Sequence, residues 1–160
     1  MGTTHLALAA AMFLSLRELG LSVGVDLVFV AVLVGSIFPD IDHPKSSIAQ
    51  QSFLTKGVSH IVSTVSEHRG IFHSLIASIL LTAPAYALLA YSRLAVAPAL
   101  GFWFGYLSHL VGDSMTRGGV RWLQPFSDGK LRGPLRTGSL SEEFLFVILL
   151  AIVFYFLLIQ

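Results

Sequence analysis

Five apolar runs divide this 160-residue chain, covering about Thr3–Leu16, Val23–Phe38, Ile71–Tyr91, Leu94–Val111 and Phe144–Ile159. No feature limits the fold more. A hydrocarbon core about 30 Å thick is crossed by roughly 20 helical residues. Inside it every backbone N–H and C=O must find a partner within the protein, so runs of this kind are read as helices. The first two are short for a span and are expected to tilt little. The first has no basic stretch before it and no A-x-A cleavage pattern between it and the second, so it is read as mature structure. Composition agrees with the pattern. The chain is 54% hydrophobic and 12% charged, about half the charge of a soluble domain. The expected fold is all-α: one polytopic membrane bundle over residues 1–160, with about five transmembrane helices.

The breaks between the runs carry the polar chemistry. Between Ser46 and Glu67, Leu54, Val58, Ile61, Val62 and Val65 keep helical spacing while Ser59, Ser63, Ser66 and Glu67 take the other side. That pattern predicts a short amphipathic helix on the membrane surface. Met115–Ser141, rich in Gly, Arg and Ser and holding Pro125 and Pro134, reads as a re-entrant or surface loop. With five spans, one side of the membrane receives Lys45, Lys56, Arg69, Arg117, Arg121, Lys130, Arg132 and Arg136, and the other only Arg17 and Arg93. The positive-inside rule places the first side, with the N-terminus, in the cytoplasm. The chain is thus expected in the cell (inner or plasma) membrane.

Its rare metal-capable side chains gather on that same side, with only Asp26 and Glu18 apart near the other. His5 opens span one, and Asp40, Asp42 and His43 follow span two. His68 and His73 bracket the start of span three, His109 and Asp113 close span four, and Glu142 opens span five. His109 and Asp113 are four residues apart and share a helix face, with His109 about 6 Å deeper. His5 and His73 are expected one turn inside their helices. Ionisable groups at such depth cost about 2.5–3.5 kcal/mol or more when they face lipid, so they should turn inward and find partners. With no Cys in the chain, thiolate sites, disulfides and Cys nucleophiles are excluded. Imidazole with carboxylate suits Zn²⁺, Mn²⁺ or Fe²⁺. More ligands are present than one tetrahedral ion needs, so one or two ions are expected.

Taken singly, each residue has a plainer role. Asp40 and Asp42, bracketed by Pro39 and Pro44, suit a turn. Asp113 can bond Ser108 or Thr116, Glu142 can cap the helix after Ser139, and Arg69 can snorkel. The convergence of seven or eight such residues on one face is what argues for a metal site. His60 and Asp26 are left outside it. A formal net charge of +1 offers no field for nucleic acid. Gly101 and Gly105 suit close helix packing, between chains or within one, and the oligomeric state stays open.

Three ordered motifs sharpen the reading: Pro39-Asp40-Ile41-Asp42-His43-Pro44-Lys45-Ser46, His68-Arg69-Gly70-Ile71-Phe72-His73-Ser74, and Gly105-Tyr106-Leu107-Ser108-His109 with Asp113 and Thr116. With Gly119-Val120, Pro125-Phe126, the His5-Leu6 start and Thr137-Gly138-Ser139 before Glu142, they resemble the LexA-regulated, membrane-bound metal-dependent hydrolase family over most of the chain. Phe72 stands where that family often shows Thr. The resemblance implies an integral membrane hydrolase.

The expected activity is metal-assisted hydrolysis of a lipid or lipid-linked phosphoester at the cytoplasmic leaflet, with a soluble phosphoester, an ester or a peptide as the other substrates the residues allow. His5, His68, His73, His109, Asp40, Asp42 and Asp113 are the expected ligands. Glu142 and Asp42 are the expected catalytic carboxylates, Glu142 as general base or extra ligand. Arg69, Lys45 and Arg136 are expected to grip phosphate. A metal or proton transporter using the same cluster is the alternative, although no inverted repeat appears and the far halves of spans two and four are apolar. A structural protein whose polar end binds a partner is the third reading.

Overall fold

The computed structural model describes residues 2–19, 25–42 and 71–159. Within them lie five α-helices: α1 (Gly2–Glu18), α2 (Val25–Ile37), α3 (Leu75–Tyr91), α4 (Ala97–Ser114) and α5 (Leu140–Ile159). Two 3-10 turns, η1 (Phe38–Asp42) and η2 (Ile71–His73), sit at the end of α2 and before α3. No strand is present among the described residues, only two isolated bridges. The all-helical expectation holds. By length and apolarity α5, with 20 residues, is able to cross a membrane, and Leu27–Asp40 and Leu75–Tyr91 are shorter apolar stretches. The surface helix expected over Ser46–Glu67 lies outside the described residues.

Glycine sets the closest helix contact. A Cβ on Gly105 would collide with the Val32 carbonyl, one on Gly35 with the Phe102 carbonyl, and one on Gly101 would stand 2.9 Å from Val28. Backbones of α2 and α4 therefore touch, the contact that small residues permit in membranes. The Gly101/Gly105 spacing thus serves packing within one chain. Tyr106, Leu110 and Val120 form a buried cluster beside this pair, covered by Phe38, Leu81, Phe102, Leu107 and Trp122. Helix α1 packs on α5 through Ala7, Ala11 and Leu149. Outward, α3 and α5 expose Leu80, Leu88, Phe144, Val147, Phe154 and Leu158. So many exposed large apolar side chains suit a lipid surround better than water.

Helix ends depart from the apolar runs, and polar capping explains how. Ser74 caps α3 by accepting from Ala77 N–H at 3.2 Å, so the helix starts after His73, which sits on η2 and not one turn inside the helix as its position in the run suggested. Helix α5 begins at Leu140, ahead of its apolar run, and carries Glu142 in its first turn. The 115–139 segment is a tied-down connection. Thr116 pairs with Leu135 and Val120 with Leu131, Leu75 N–H donates to the Trp122 carbonyl at 2.9 Å, and the Trp122 indole donates to Ser114 Oγ at 2.8 Å.

Candidate metal centre

The starts of α1 and α3 and the ends of α2 and α4 meet at one end of the bundle. His5 comes from the first turn of α1, Asp40 from η1, His73 from η2, and His109 and Asp113 from one face of α4. His5 Nε2 lies 3.4 Å from Asp113 Oδ1. His73 Nε2 is 3.8 Å from Asp40 Oδ1 and 3.9 Å from Asp113 Oδ2. His109 Nε2 is 3.8 Å from the same Asp40 and Asp113 oxygens. The donors form two overlapping triads, His5–Asp40–His109 and His73–His109–Asp113, each with its atoms within 4.8 Å of one another. Four of the five side chains are buried, and the Asp40 side chain is 27% exposed.

Each imidazole is aimed by a local device. Pro39 has no N–H to return to the Ser36 carbonyl three residues back, and Ser36 stands among the last four residues of α2, whose carbonyls lack helical partners. His109 Nδ1 takes that carbonyl at 2.8 Å. A carbonyl only accepts, so Nδ1 carries the proton and Nε2 presents its lone pair to the centre. The His5 ring stacks on His109 at 4.0 Å and 22°, and Gly112 leaves room for it, since a Cβ there would lie 2.8 Å from His5 Nδ1. The Tyr106 hydroxyl donates to the Phe72 carbonyl and so ties η2, with His73, to α4.

The donor set fits a divalent ion. Two ligand atoms about 2.1 Å from a common ion stand roughly 3.0–3.5 Å apart along an edge of its shell. The His–Asp separations here, 3.4–3.9 Å, are for the most part a few tenths of an ångström longer and need a small contraction around an ion. His5 Nε2 and His109 Nε2 are buried with no hydrogen-bond partner among the described residues, a state that costs about 1–3 kcal/mol for each group. An ion removes that cost. Three imidazoles and two carboxylates, without thiolate, suit Zn²⁺, Mn²⁺ or Fe²⁺.

The remaining expected site residues divide in three. Glu142 belongs to neither triad; its Oε1 accepts from Thr4 Oγ1 at 2.9 Å and its Oε2 from Gly138 N–H at 2.7 Å. Each oxygen thus takes one hydrogen bond, a structural task that stands beside the general-base or ligand role expected from the sequence. Arg136 is exposed on the connection before α5. Lys45, His68 and Arg69, and the Asp42 side chain, lie outside the described residues. Sequence reasoning passed over Ser36, Gly112 and Thr4, and quoted Tyr106 in a motif without giving it a task. The proline three residues after Ser36, the glycine one turn along from His109 and the threonine beside His5 were the available signals.

A family model described as YdjM inner membrane protein matches residues 1–160. The chain belongs to that family. It is 38% identical over 96 residues to Inner membrane protein YdjM of Escherichia coli (strain K12), a match covering 59% of this chain and 47% of that protein. The chain therefore spans about half the length of that relative. It is 32% identical over 138 residues to Uncharacterized protein YvsG of Bacillus subtilis (strain 168), covering 83% of this chain and 81% of that protein. No solved structure matches. Family membership supports a membrane location.

Proposed function

We propose that the protein is a multi-pass membrane hydrolase that binds one divalent ion and cleaves a phosphoester, or another ester, on a membrane lipid at the cytoplasmic face. The observation that carries this reading is the pair of triads sharing His109. His109 has one nitrogen to give, because the other is held by Ser36, and this favours a single ion over two. His5, His73, His109, Asp40 and Asp113 would hold it. Such an ion supplies Lewis acidity and a water whose pKa is lowered toward about 7. The carboxylates orient and accept hydrogen bonds, while Lys45, Arg69 and Arg136 supply positive charge for an anionic headgroup. Asp42 remains the candidate base.

Lipid as the substrate class is supported by an apolar cavity of about 690 Å³ beside the centre, between α4, α5 and the tied-down connection. Its lining includes Met115, Trp122, Leu135, Phe144 and Ile148. The transport reading finds less support. A cavity at the other end is walled by apolar side chains, Arg17 apart, which is poor lining for an ion path.

The reading is tested on detergent-purified protein by elemental analysis and by incubation with extracted membrane lipids. About one ion per chain is expected, with His73→Ala, His109→Ala and Asp113→Ala each losing most of it while remaining folded. Lipid headgroup release should disappear with the ion. Unchanged metal content in all three variants would refute the site, and ion flux into liposomes without lipid cleavage would favour the transporter.

A further inference from the structure

Resting on the metal reading above, we infer that Glu142 is a positioning residue, which through Thr4 holds the first turn of α1 so that His5 stands in the ligand set. His5 is the fourth residue of α1. The first four N–H groups of a helix have no helical partner, and a first turn is where a helix frays. A ligand needs placing to within about 0.5 Å. Something outside α1 must supply that restraint.

The apolar contact of α1 with α5 cannot supply it alone. Ala7 and Ala11 meet Leu149 there, with Leu8, Leu145 and Phe146 packed around them, and apolar burial, being non-directional, does not by itself fix the rotation of a first turn to the tolerance a ligand needs. The Thr4–Glu142 hydrogen bond is directional and buried, joins residues 138 apart in sequence, and adjoins His5 in the chain. Glu142 is itself fixed: it is 7% exposed, its second oxygen is held by Gly138 N–H at 2.7 Å, and it occupies the first turn of α5, where the helix dipole favours an anion. Thr4, His5, Gly112 and Glu142 line one small cavity. The carboxylate thus acts on the centre through His5, as outer groups act on metal ligands.

Zn²⁺ and Mn²⁺ affinities of the full chain in detergent, measured by chelator competition, test this. Glu142→Ala is expected to weaken affinity about 10–100-fold, the usual range for such outer groups. Glu142→Gln should recover to within about threefold, because its amide can donate to Thr4 Oγ1 and accept from Gly138 N–H. In a His5→Ala background, Glu142→Ala should cause no further loss. Thr4→Val, which removes the same bond and keeps the carboxylate, should also weaken affinity and carries the test if that variant misfolds. Wild-type affinity in Glu142→Ala or Thr4→Val, failure of Glu142→Gln to recover, or an equal loss in the His5→Ala background would overturn the positioning role alone. A wild-type chain that binds neither ion would overturn it together with the metal reading.

Discussion

At one end of the bundle three imidazoles and two carboxylates form two overlapping triads, the donor atoms of each within 4.8 Å of one another. At the other, Phe13, Leu16, Val28, Val32, Leu100 and Phe104 surround a cavity of about 350 Å³. The same helices α1, α2 and α4 build both. They approach closely in the middle, where Gly35, Gly101 and Gly105 let α2 and α4 touch. Beyond that crossing the polar end is fastened by directional bonds, among them His109 to Ser36 and Tyr106 to Phe72. The apolar end is held by packing with room to spare. The difference assigns tasks: a ligand set tolerates little displacement, whereas an apolar end in lipid tolerates much.

Removing the ion should produce the largest contrast between the ends. Ligand binding to the folded state stabilises it by about 4 kcal/mol when free metal is a thousandfold above its dissociation constant. Chelation should therefore lower the melting temperature, and the buried Nε2 atoms of His5 and His109 would again lack partners. Hydrogen exchange should quicken at η1 and η2 and change little over residues 97–104. Equal quickening at both ends would show that the ion stabilises the bundle as a whole.

Gly112→Ala should give a smaller and two-sided effect. The new Cβ would fall 2.8 Å from His5 Nδ1 and 3.0 Å from Cε1, so the imidazole must shift out of its stack on His109. Metal affinity is expected to fall about tenfold, at the lower end of the range for outer-shell changes. Ala for Gly within a helix also adds up to about 1 kcal/mol, so the metal-free protein should melt no lower than wild type. Chelator titration and melting of the apo form measure the two effects. A loss of apo stability without a loss of affinity would place the strain on α4 and not on His5.

The gathering of the site at one end was legible because successive helices that run back and forth place their boundaries at alternating ends of the bundle, and His5, Asp40, His73, His109 and Asp113 all stand at boundaries of one parity. The helical fold was legible from apolar runs alone. Detail was lost wherever a partner came from far along the chain. The place of His73 is the local exception, set by its neighbour Ser74 taking the cap. The proton on His109 Nδ1 depends on the Ser36 carbonyl, 73 residues away. Glu142 reads as a lone carboxylate until Thr4 is brought to it across 138 residues. The 115–139 connection is largely exposed, as a surface loop should be, but its bridges and the bond from Leu75 N–H to the Trp122 carbonyl leave no periodic trace in the sequence.

The smallest effect is expected at the apolar end, and it tests whether the ends are independent. Leu100 lines the far cavity and is 48% exposed, so Leu100→Phe can extend into open space with little strain. Its stability change should stay within about 1 kcal/mol, since volume added beside a void avoids most of the cost of overpacking. Metal affinity should remain within twofold of wild type, because the glycine contacts of α2 and α4 lie between Leu100 and His109 and transmit little of a side-chain adjustment. Both quantities come from the same chelator titration and melting curves as Gly112→Ala. A tenfold change in affinity would mean that the helices shift as rigid rods, carrying a disturbance at Leu100 through to the imidazoles, and the division of tasks between the two ends would fail.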